Sequence, residues 1–476
     1  MDIGELRRMR RHLDTFLGKF ADCIQTKPSR RHLGTYVRGQ VSALERKSVE
    51  PMALAAGVAP RTLQEFLGLH RWDHEAVRVR VGEIVRDEHG DPNAIIVVDE
   101  TACPKKGDKT AGVQRQYCGA TGKVDNCVVT VSLGYTTPEF HALIDSDLYL
   151  PEESWHEDRE RCREAGIPDD VLYRPKWRIA LDMVERAREL GLPCKYLTAD
   201  EHYGDSVAFR SGVAVLGLTY VVEVPCSTTG WLKKPRIIAP KGPEREGRPR
   251  KRARLAPGAS RQRRVDALWK RGGPRWRAYH IKETEKGPVV WEARVVRFFP
   301  AQEDLAAPAC WLIVARNVLG AEVKYFLSDA PPDADPRLLL HVAFSRCHIE
   351  RIYQDAKMQV GFDHFEVRHY LPLMRHLILS MVSLLFLARE TQRLRGKKSV
   401  VERPPGAIGR GGATRSGDVI TAADATADES CSEDRIPPEP TPTRGALAQK
   451  KTTTTTAIPP RPRLQTPEVL QCLVAL

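Results

Sequence analysis

Two aspartates each follow a stretch of sequence that predicts a buried strand. Asp99 ends the apolar, β-branched run of residues 94–98, and Asp200 ends a second predicted strand that begins at residue 194. Ligands of open α/β sheets bind beyond the carboxyl ends of the strands. Carboxylates gathered there repel one another unless a cation compensates, and a hard divalent ion, Mg²⁺ or Mn²⁺, is the natural occupant. We therefore expect Asp99 and Asp200 to bind metal for phosphoryl transfer.

The choice of these two acids over their neighbours rests on strand geometry. Glu100 and Glu201 directly follow the aspartates. Successive side chains of a strand face opposite ways, so only one acid of each pair can face the site. The aspartates are chosen because they terminate the apolar runs. For either one, the alternative is an ordinary turn residue or helix cap.

A third acid, Glu350, lies in a long predicted helix between two cations. Arg346 precedes it by four residues and Lys357 follows it by seven, so all three fall on one stripe of a helix, with Tyr353 and Gln354 nearby. A carboxylate flanked by two cations can bind metal while the cations hold phosphates. The alternative is a solvated helix with ordinary ion pairs between successive turns.

The elements that must position these residues predict a mixed α/β sheet. Apolar and β-branched runs alternate with helical spacing after residue 93, in the order three strands, helix, strand, helix, strand. The predicted strands are residues 94–98, 127–135, 140–150, 194–200 and 220–224, and the predicted helices are residues 177–190 and 206–216. Residues 336–393 return to a helical pattern that includes Glu350.

The N-terminal region, residues 1–90, is basic and has helical spacing. Within it, residues 54–64 predict a short helix, a glycine-containing turn and a second helix, with Arg61, Thr62 and Gln64 near the start of the second. This pattern resembles a DNA-binding helix-turn-helix. An ordinary helical hairpin is the equally weighted alternative.

The positive charge of the chain is concentrated in an interruption of the α/β pattern, residues 226–330. The chain carries a formal net charge of +13, and residues 233–277 alone contain 17 Lys or Arg and 3 acids, a local charge of +14. This favours a polyanionic partner. The segment predicts a loop or partly disordered arm, followed by strands at residues 289–299, 310–316 and 323–327. Residues 395–476 have no periodicity and predict a disordered tail.

Several classes of protein are disfavoured. Residues 1–19 are charged throughout, which argues against a secretory signal. The longest apolar run, residues 377–388, is shorter than the roughly 18–20 residues of a membrane span and predicts a buried helix. The 11 cysteines never form a Cys-x-x-Cys pair, which argues against a zinc knuckle or a secreted disulfide framework. We expect a cytoplasmic, nucleoid-associated protein with no membrane partner.

Six motifs follow one another in order along the chain. They are Asp99-Glu-Thr with Pro104-Lys105-Lys106-Gly107, Gln114-Arg-Gln-Tyr-Cys-Gly119, Leu148-Tyr-Leu-Pro-Glu-Glu-Ser-Trp155, Thr198-Ala-Asp200-Glu-His-Tyr-Gly204, Arg346-Cys-His-Ile-Glu350-Arg-Ile-Tyr-Gln-Asp-Ala-Lys357 and Gly361-Phe-Asp-His-Phe-Glu-Val-Arg368. Together they resemble the motifs of bacterial insertion-sequence transposases of the Asp-Asp-Glu superfamily, in the insertion-sequence 701 branch. The segment from Arg346 to Lys357 is similar to the Arg-x3-Glu-x6-Lys part of their Tyr-Arg-Glu-Lys signature, although Ala343 replaces its tyrosine.

The resemblance implies a fold and a catalytic triad. The fold would be a ribonuclease-H-like mixed-sheet core, interrupted by a β-rich basic insertion and flanked by an N-terminal helical domain and a disordered C-terminal tail. Asp99, Asp200 and Glu350 would bind the metal and carry out catalysis. The implied boundaries are 1–90 for the helical DNA-binding domain, 91–225 and 331–394 for the two parts of the core, 226–330 for the insertion and 395–476 for the tail.

The resemblance also implies contacts with double-stranded DNA, both transposon terminal inverted repeats and target DNA. Arg346 and Lys357 would contact phosphates, with Tyr353 beside them. Lys105 and Lys106 would do likewise, unless they are ordinary surface charges. In the insertion, an aromatic such as Trp231, Trp269, Trp276 or Trp291 would stack on a flipped base, worth about 1–3 kcal/mol, unless it packs internally.

Action on paired DNA ends implies a homodimer, although no dimer interface can be recognised in the sequence. Two other functions remain open at this stage. One is a domesticated or inactive transposase that binds DNA without cutting it. The other is a structure-selective metal nuclease that shares the site but cuts DNA without the ends of the element.

Overall fold

The computed structural model describes residues 3–239, 252–269, 273–282, 288–318 and 322–401. The described chain as far as Gly396 belongs to one compact unit, and a second unit, Lys397–Gln465, is described only to Val401. The predicted tail therefore lies outside the described residues from 402 onward. The centre of the predicted basic segment, residues 240–251, lies outside them as well.

The N-terminal region is helical, as the sequence predicts, and its helices begin at recognisable caps. The side chain of Thr26 accepts a hydrogen bond from the backbone N–H of Ser29, and that of Asp73 accepts one from Ala76. Such caps satisfy backbone donors that have no partner inside the helix. The predicted helix-turn-helix pattern forms α3 and α4, joined by a turn at Gly57. The helices are α1 (Ile3–Gly18), α2 (Lys27–Gln40), α3 (Val49–Ala55), α4 (Pro60–Gly68) and α5 (His74–His89).

The core sheet has three antiparallel strands followed by two parallel ones, in the order β4-β3-β1-β5-β6. This mixed arrangement agrees with the predicted ribonuclease-H-like core. Strand β2 pairs with the first part of β3 and was not predicted as a strand. The strands are β1 (Ile95–Pro104), β2 (Gln114–Cys118), β3 (Lys123–Thr136), β4 (His141–Leu148), β5 (Tyr196–Ala199) and β6 (Thr219–Glu223).

The insertion extends the core sheet instead of forming a separate one. Its last strand, β15, pairs antiparallel with β6 and continues through β14 to the long strand β12. Backbone hydrogen bonds therefore run from the insertion into the core. The strands are β7 (Thr229–Trp231), β8 (Ile237–Ile238), β9 (Arg254–Leu255), β10 (Arg263–Arg264), β11 (Arg277–Lys282), β12 (Val289–Gln302), β13 (Leu305–Ala306), β14 (Cys310–Asn317) and β15 (Val323–Ser328).

Most of the remaining helices pack against the core sheet. Gly204, at the end of the short helix after β5, is required by close packing, because a Cβ there would lie 1.8 Å from the carbonyl oxygen of Glu223. Gly361 ends α11 in the left-handed conformation, with φ of 67°. The helices are α6 (Arg159–Glu164), α7 (Lys176–Glu189), α8 (Glu201–Gly204), α9 (Val207–Val215), α10 (Pro336–Phe344), α11 (Cys347–Val360) and α12 (Tyr370–Val401).

Helix α12 is the apolar core around which the N-terminal helices pack. Tyr36 donates a hydrogen bond to Nδ1 of His376 at 2.7 Å, and Gln40 donates to Ser380 at 2.8 Å. By length and composition alone, Tyr370–Arg395 is sufficient to cross a membrane, but 83% of its most apolar stretch is buried within the protein. The predicted buried helix is therefore confirmed, and it is longer than the sequence run indicated.

Candidate active site

Asp99 and Asp200 lie side by side where a parallel strand pair ends. Val98 of β1 and Ala199 of β5 form the last parallel pair. The residue that follows each of them is an aspartate, Asp99 after Val98 and Asp200 after Ala199. Neighbouring strands are about 4.8 Å apart, which brings the two carboxylates to the same edge of the sheet. Strand β1 itself continues past Asp99 in antiparallel pairing with β3, so Asp99 ends the parallel pairing and not the strand.

Burial makes the negative charge of these aspartates costly. Asp99 is 9% exposed, and burial, together with the charge of Asp200, raises the pKa of Asp99 to about 7. Burial also raises the pKa of Asp200. Oδ1 of Asp200 accepts hydrogen bonds from the backbone N–H groups of His202 and Tyr203 and thereby caps α8. The pair therefore favours a nearby positive charge.

Arg346 supplies that charge from the start of α11. Its Nη1 lies 3.2 Å from Oδ2 of Asp99, and its Nη2 lies 2.7 Å from Oε1 of Glu350. Its Nε lies 3.9 Å from Oε2 of Glu223. Burial acts to lower the pKa of Arg346, but the surrounding carboxylates outweigh this and raise it. The guanidinium is therefore a permanent cation between Asp99 and Glu350.

Two side chains fix α11 along β1, so that Arg346 and Glu350 face Asp99. The hydroxyl of Tyr353 donates to the backbone oxygen of Asp99 at 2.8 Å, and Nζ of Lys357 donates to the backbone oxygen of Ala102 at 3.0 Å. Tyr353 is 7% exposed, so it positions the helix from within and has no free surface for DNA in this conformation.

Glu350 is linked to Asp99 by Arg346, whose guanidinium contacts both carboxylates. Its side chain is 56% exposed, whereas that of Asp99 is 12% exposed. Within the described residues, no three His, Cys, Asp or Glu side chains are gathered closely enough to hold a metal ion as they stand. The structure thus brings Asp99 and Asp200 together and places Glu350 on the other side of the Arg346 guanidinium.

Two further acids near the site were not selected from the sequence. Glu223 ends β6, the strand after Asp200, and pairs with Lys324 at 3.0 Å. The strand predicted from the sequence ended one residue later, at residue 224, so the rule that selected Asp99 did not select Glu223. Glu100 faces away from Arg346 and contacts Lys176 at 2.5 Å and the hydroxyl of Tyr203 at 3.3 Å. These partners explain why the aspartate and not Glu100 faces the guanidinium.

The two predicted DNA-contacting lysines after β1 differ in their surroundings. Nζ of Lys105 donates to the backbone oxygens of Asp363 and Phe365 at 3.3 and 2.8 Å and lies 3.4 Å from the centre of the Phe365 ring. Lys106 is exposed. Lys105 therefore ties β1 to the segment after α11, and Lys106 has its charge available at the surface.

The tryptophans of the insertion pack internally to different degrees. Trp231 is 3% exposed, and its Nε1 donates to the backbone oxygen of Ser260 at 2.7 Å. Trp276 is half-buried between the guanidinium groups of Arg294 and Arg316, which lie 4.4 and 4.3 Å from its ring centre. Trp269 is half-buried as well, and Arg294 lies 5.5 Å from its ring centre. In this conformation Trp231 has no ring face free to stack on a base.

A comparison with protein families decides the affiliation of the chain. A family profile described as "DDE superfamily endonuclease" matches residues 19–288, more than half of the chain. The chain belongs to the DDE superfamily of endonucleases. The matched span contains both clustered aspartates of this DDE endonuclease, Asp99 and Asp200, and ends before α11, so it does not include Glu350.

A curated relative agrees with this family. The DDE endonuclease is 34% identical over 194 residues to a protein of Microchaete diplosiphon described as "Probable transposase for insertion sequence element IS701". The match covers 39% of this chain and 46% of the relative. The name of this relative is that of the insertion-sequence 701 group, whose motifs the sequence resembles.

The residues of the site fit the divalent metal ions that this superfamily generally uses. Asp99, Asp200, Glu223 and Glu350 offer only carboxylate oxygens, which Mg²⁺ and Mn²⁺ prefer. Burial and then the charge of Asp200 raise the pKa of Asp99, so a further cation beside it would stabilise its charged form. These carboxylates therefore suit a hard cation. In this structure the guanidinium of Arg346 contacts two of them, Asp99 and Glu350.

Proposed function

We propose that this DDE endonuclease is a DNA transposase, which cuts transposon ends and joins them to target DNA by metal-dependent phosphoryl transfer. The observation that carries the proposal is the buried Asp99–Asp200 pair at the end of the parallel strands, faced across the sheet edge by Arg346 and Glu350 of α11. The transposase name of the Microchaete diplosiphon relative points to the same activity.

Asp99, Asp200 and Glu350 would hold Mg²⁺ or Mn²⁺. The metal would activate an attacking oxygen and stabilise the leaving one. The protein itself binds and orients the DNA, because Arg346 can bind a phosphate with its planar fork of donors. Lys357 and Tyr353 position α11 through their contacts with β1. The burial of Asp99 keeps water from weakening these interactions.

Double-stranded DNA would be held by the exposed positive charge. Lys106 and the basic residues of 233–277 are proposed to contact the phosphate backbone, since such contacts give affinity without sequence specificity. Trp269 or Trp276 is proposed to stack on a displaced base once its arginine neighbours turn toward phosphates. Two ends must be handled together, so we propose that the protein acts as a homodimer.

The test uses the purified full chain and DNA carrying the inverted repeats that flank its gene. With Mg²⁺ or Mn²⁺, the protein should nick these ends. The variants Asp99→Asn, Asp200→Asn and Glu350→Gln should each lower the rate by about 100-fold or more, because each removes a charged metal ligand. DNA binding should change little. Glu189→Gln, an exposed acid on α7, is the control and should cut normally.

Two results would contradict the proposal. If all three variants cut the ends as fast as the unmodified protein, the acids named here are not the metal ligands. If the unmodified protein bound the ends and never cut them with either metal, the chain would be a DNA-binding protein without the proposed activity.

A further inference from the structure

Four carboxylates surround the guanidinium of Arg346. Nη1 contacts Asp99 at 3.2 Å, Nη2 contacts Glu350 at 2.7 Å, and Nε is 3.9 Å from Glu223. Asp200 is the fourth acid whose charge acts on the guanidinium. Glu223 has a cation of its own in Lys324. Arg346 is therefore the cation on which Asp99 and Glu350 both depend.

The two contacts of Arg346 differ in strength. Glu350 is 56% exposed, and its ion pair with Arg346 joins successive turns of the same helix. Such exposed pairs contribute little to stability. The contact with Asp99 is more buried, with side chains 22% and 12% exposed, and is screened less by water. The arginine can therefore leave Glu350 easily, while release of Asp99 requires another cation there.

We propose that Arg346 is a built-in competitor of the divalent metal ion for Asp99 and Glu350, and that DNA phosphates raise the metal affinity of the site by drawing Arg346 away. The inference deepens the proposed function and rests on it for the identity of the polyanion. Oδ2 of Asp99 and Oε1 of Glu350 contact the guanidinium, and a metal ion held by the same two carboxylates would be repelled by the positive charge of Arg346.

This exchange of Arg346 for a metal ion on Asp99 and Glu350 couples DNA binding and metal binding in both directions. A phosphate that binds Arg346 frees Asp99 and Glu350 for the metal, and a metal on these carboxylates frees Arg346 for a phosphate. Such coupling is reciprocal, and its usual size is about 5–150-fold in affinity. The protein without DNA would hold metal weakly, which limits cutting of DNA that has not been engaged.

The test measures Mn²⁺ binding directly, by electron paramagnetic resonance and calorimetry, on the full chain at pH 8, above the pKa of Asp99. Without DNA, Arg346→Met should bind Mn²⁺ about 5-fold or more tightly than the unmodified protein. A 30-base-pair duplex carrying the element's end should tighten Mn²⁺ binding to the unmodified protein by a similar factor and leave Arg346→Met unchanged.

The control is Arg351→Met on the same helix, since Arg351 is exposed and pairs with Asp355 at 3.1 Å. It should match the unmodified protein in both measurements. Arg346→Lys keeps the charge without the fork and should give intermediate Mn²⁺ affinity, which keeps the test valid if Arg346→Met does not fold by circular dichroism.

The inference would be overturned if Arg346→Met bound Mn²⁺ no more tightly than the unmodified protein. The same holds for Arg346→Lys where it replaces Arg346→Met. DNA that tightens Mn²⁺ binding equally with and without Arg346 would also overturn it. Cutting of the inverted repeats is scored separately, so the exchange can fail while the transposase proposal stands. If the exchange is seen and no end is ever cut, the transposase proposal fails and the exchange stands.

Discussion

Lys105 and Lys106 are adjacent in sequence and differ in what they contact. Lys105 is tied to Asp363 and Phe365, while Lys106 lies at the surface. Both are lysines that follow the same acidic motif, so residue type alone does not predict which of them is half-buried. Both lie just beyond the end of β1 at Pro104, so their difference depends on the segment after α11, which packs against Lys105.

We predict that Lys105→Met lowers the free energy of unfolding by about 1–3 kcal/mol, because it removes hydrogen bonds from a charged donor and a contact with the Phe365 ring. Lys106→Met should change it by less than about 0.5 kcal/mol. Urea denaturation followed by circular dichroism measures both. Equal destabilisation by the two changes would contradict the structural role assigned to Lys105.

The site could be predicted from the sequence in part. Asp99, Asp200 and the stripe of α11 were found because each stands at a recognisable position of an element. The sequence did not reveal that the guanidinium of Arg346 would lie between Asp99 and Glu350, because this depends on how α11 docks on β1. Glu223 was missed because the predicted strand ran to residue 224, whereas β6 ends at Glu223.

At the scale of elements, long and strongly patterned segments were predicted well. Helices α7 and α9 and strands β3, β12 and β14 lie within a few residues of the expected bounds. Strand β2 was missed because its exposed and half-buried residues alternate without an apolar run. The pairing of β15 with β6 could not be read from the sequence, since pairing across a hundred residues depends on the tertiary fold.

The interface between α2 and α12 contains a buried hydrogen bond. Tyr36 is 1% exposed and donates to Nδ1 of His376, whose Nε2 is 3.1 Å from the backbone oxygen of Phe362. Tyr36→Phe should therefore destabilise the protein by about 1–3 kcal/mol, because it leaves a buried acceptor without a donor. Tyr117→Phe is the matched control, as Tyr117 is 69% exposed. Equal urea midpoints for the two variants would show that the interface between α2 and α12 does not depend on the Tyr36–His376 hydrogen bond.

At the scale of the whole molecule, stability at acid pH depends on histidines that are buried as neutral side chains. Burial lowers the pKa values of His74, His141 and His376 to about 4. An unfolded chain takes up these protons near pH 6.5. Between about pH 6.5 and 4, the unfolded state thus binds more protons than the folded state, so these groups make the protein less stable as the pH falls.

His376 allows this contribution to be isolated. His376→Gln keeps a donor and an acceptor but cannot be protonated, while the other buried histidines remain in both proteins. The variant should be less stable than the unmodified protein at pH 7, and the difference should shrink by about 2–3 kcal/mol on going to pH 4.5, because only the unmodified protein loses stability through this side chain. The exposed His341→Gln serves as control. Urea unfolding at a series of pH values measures the difference, and a gap that stays constant with pH would mean that His376 is not held neutral by its burial.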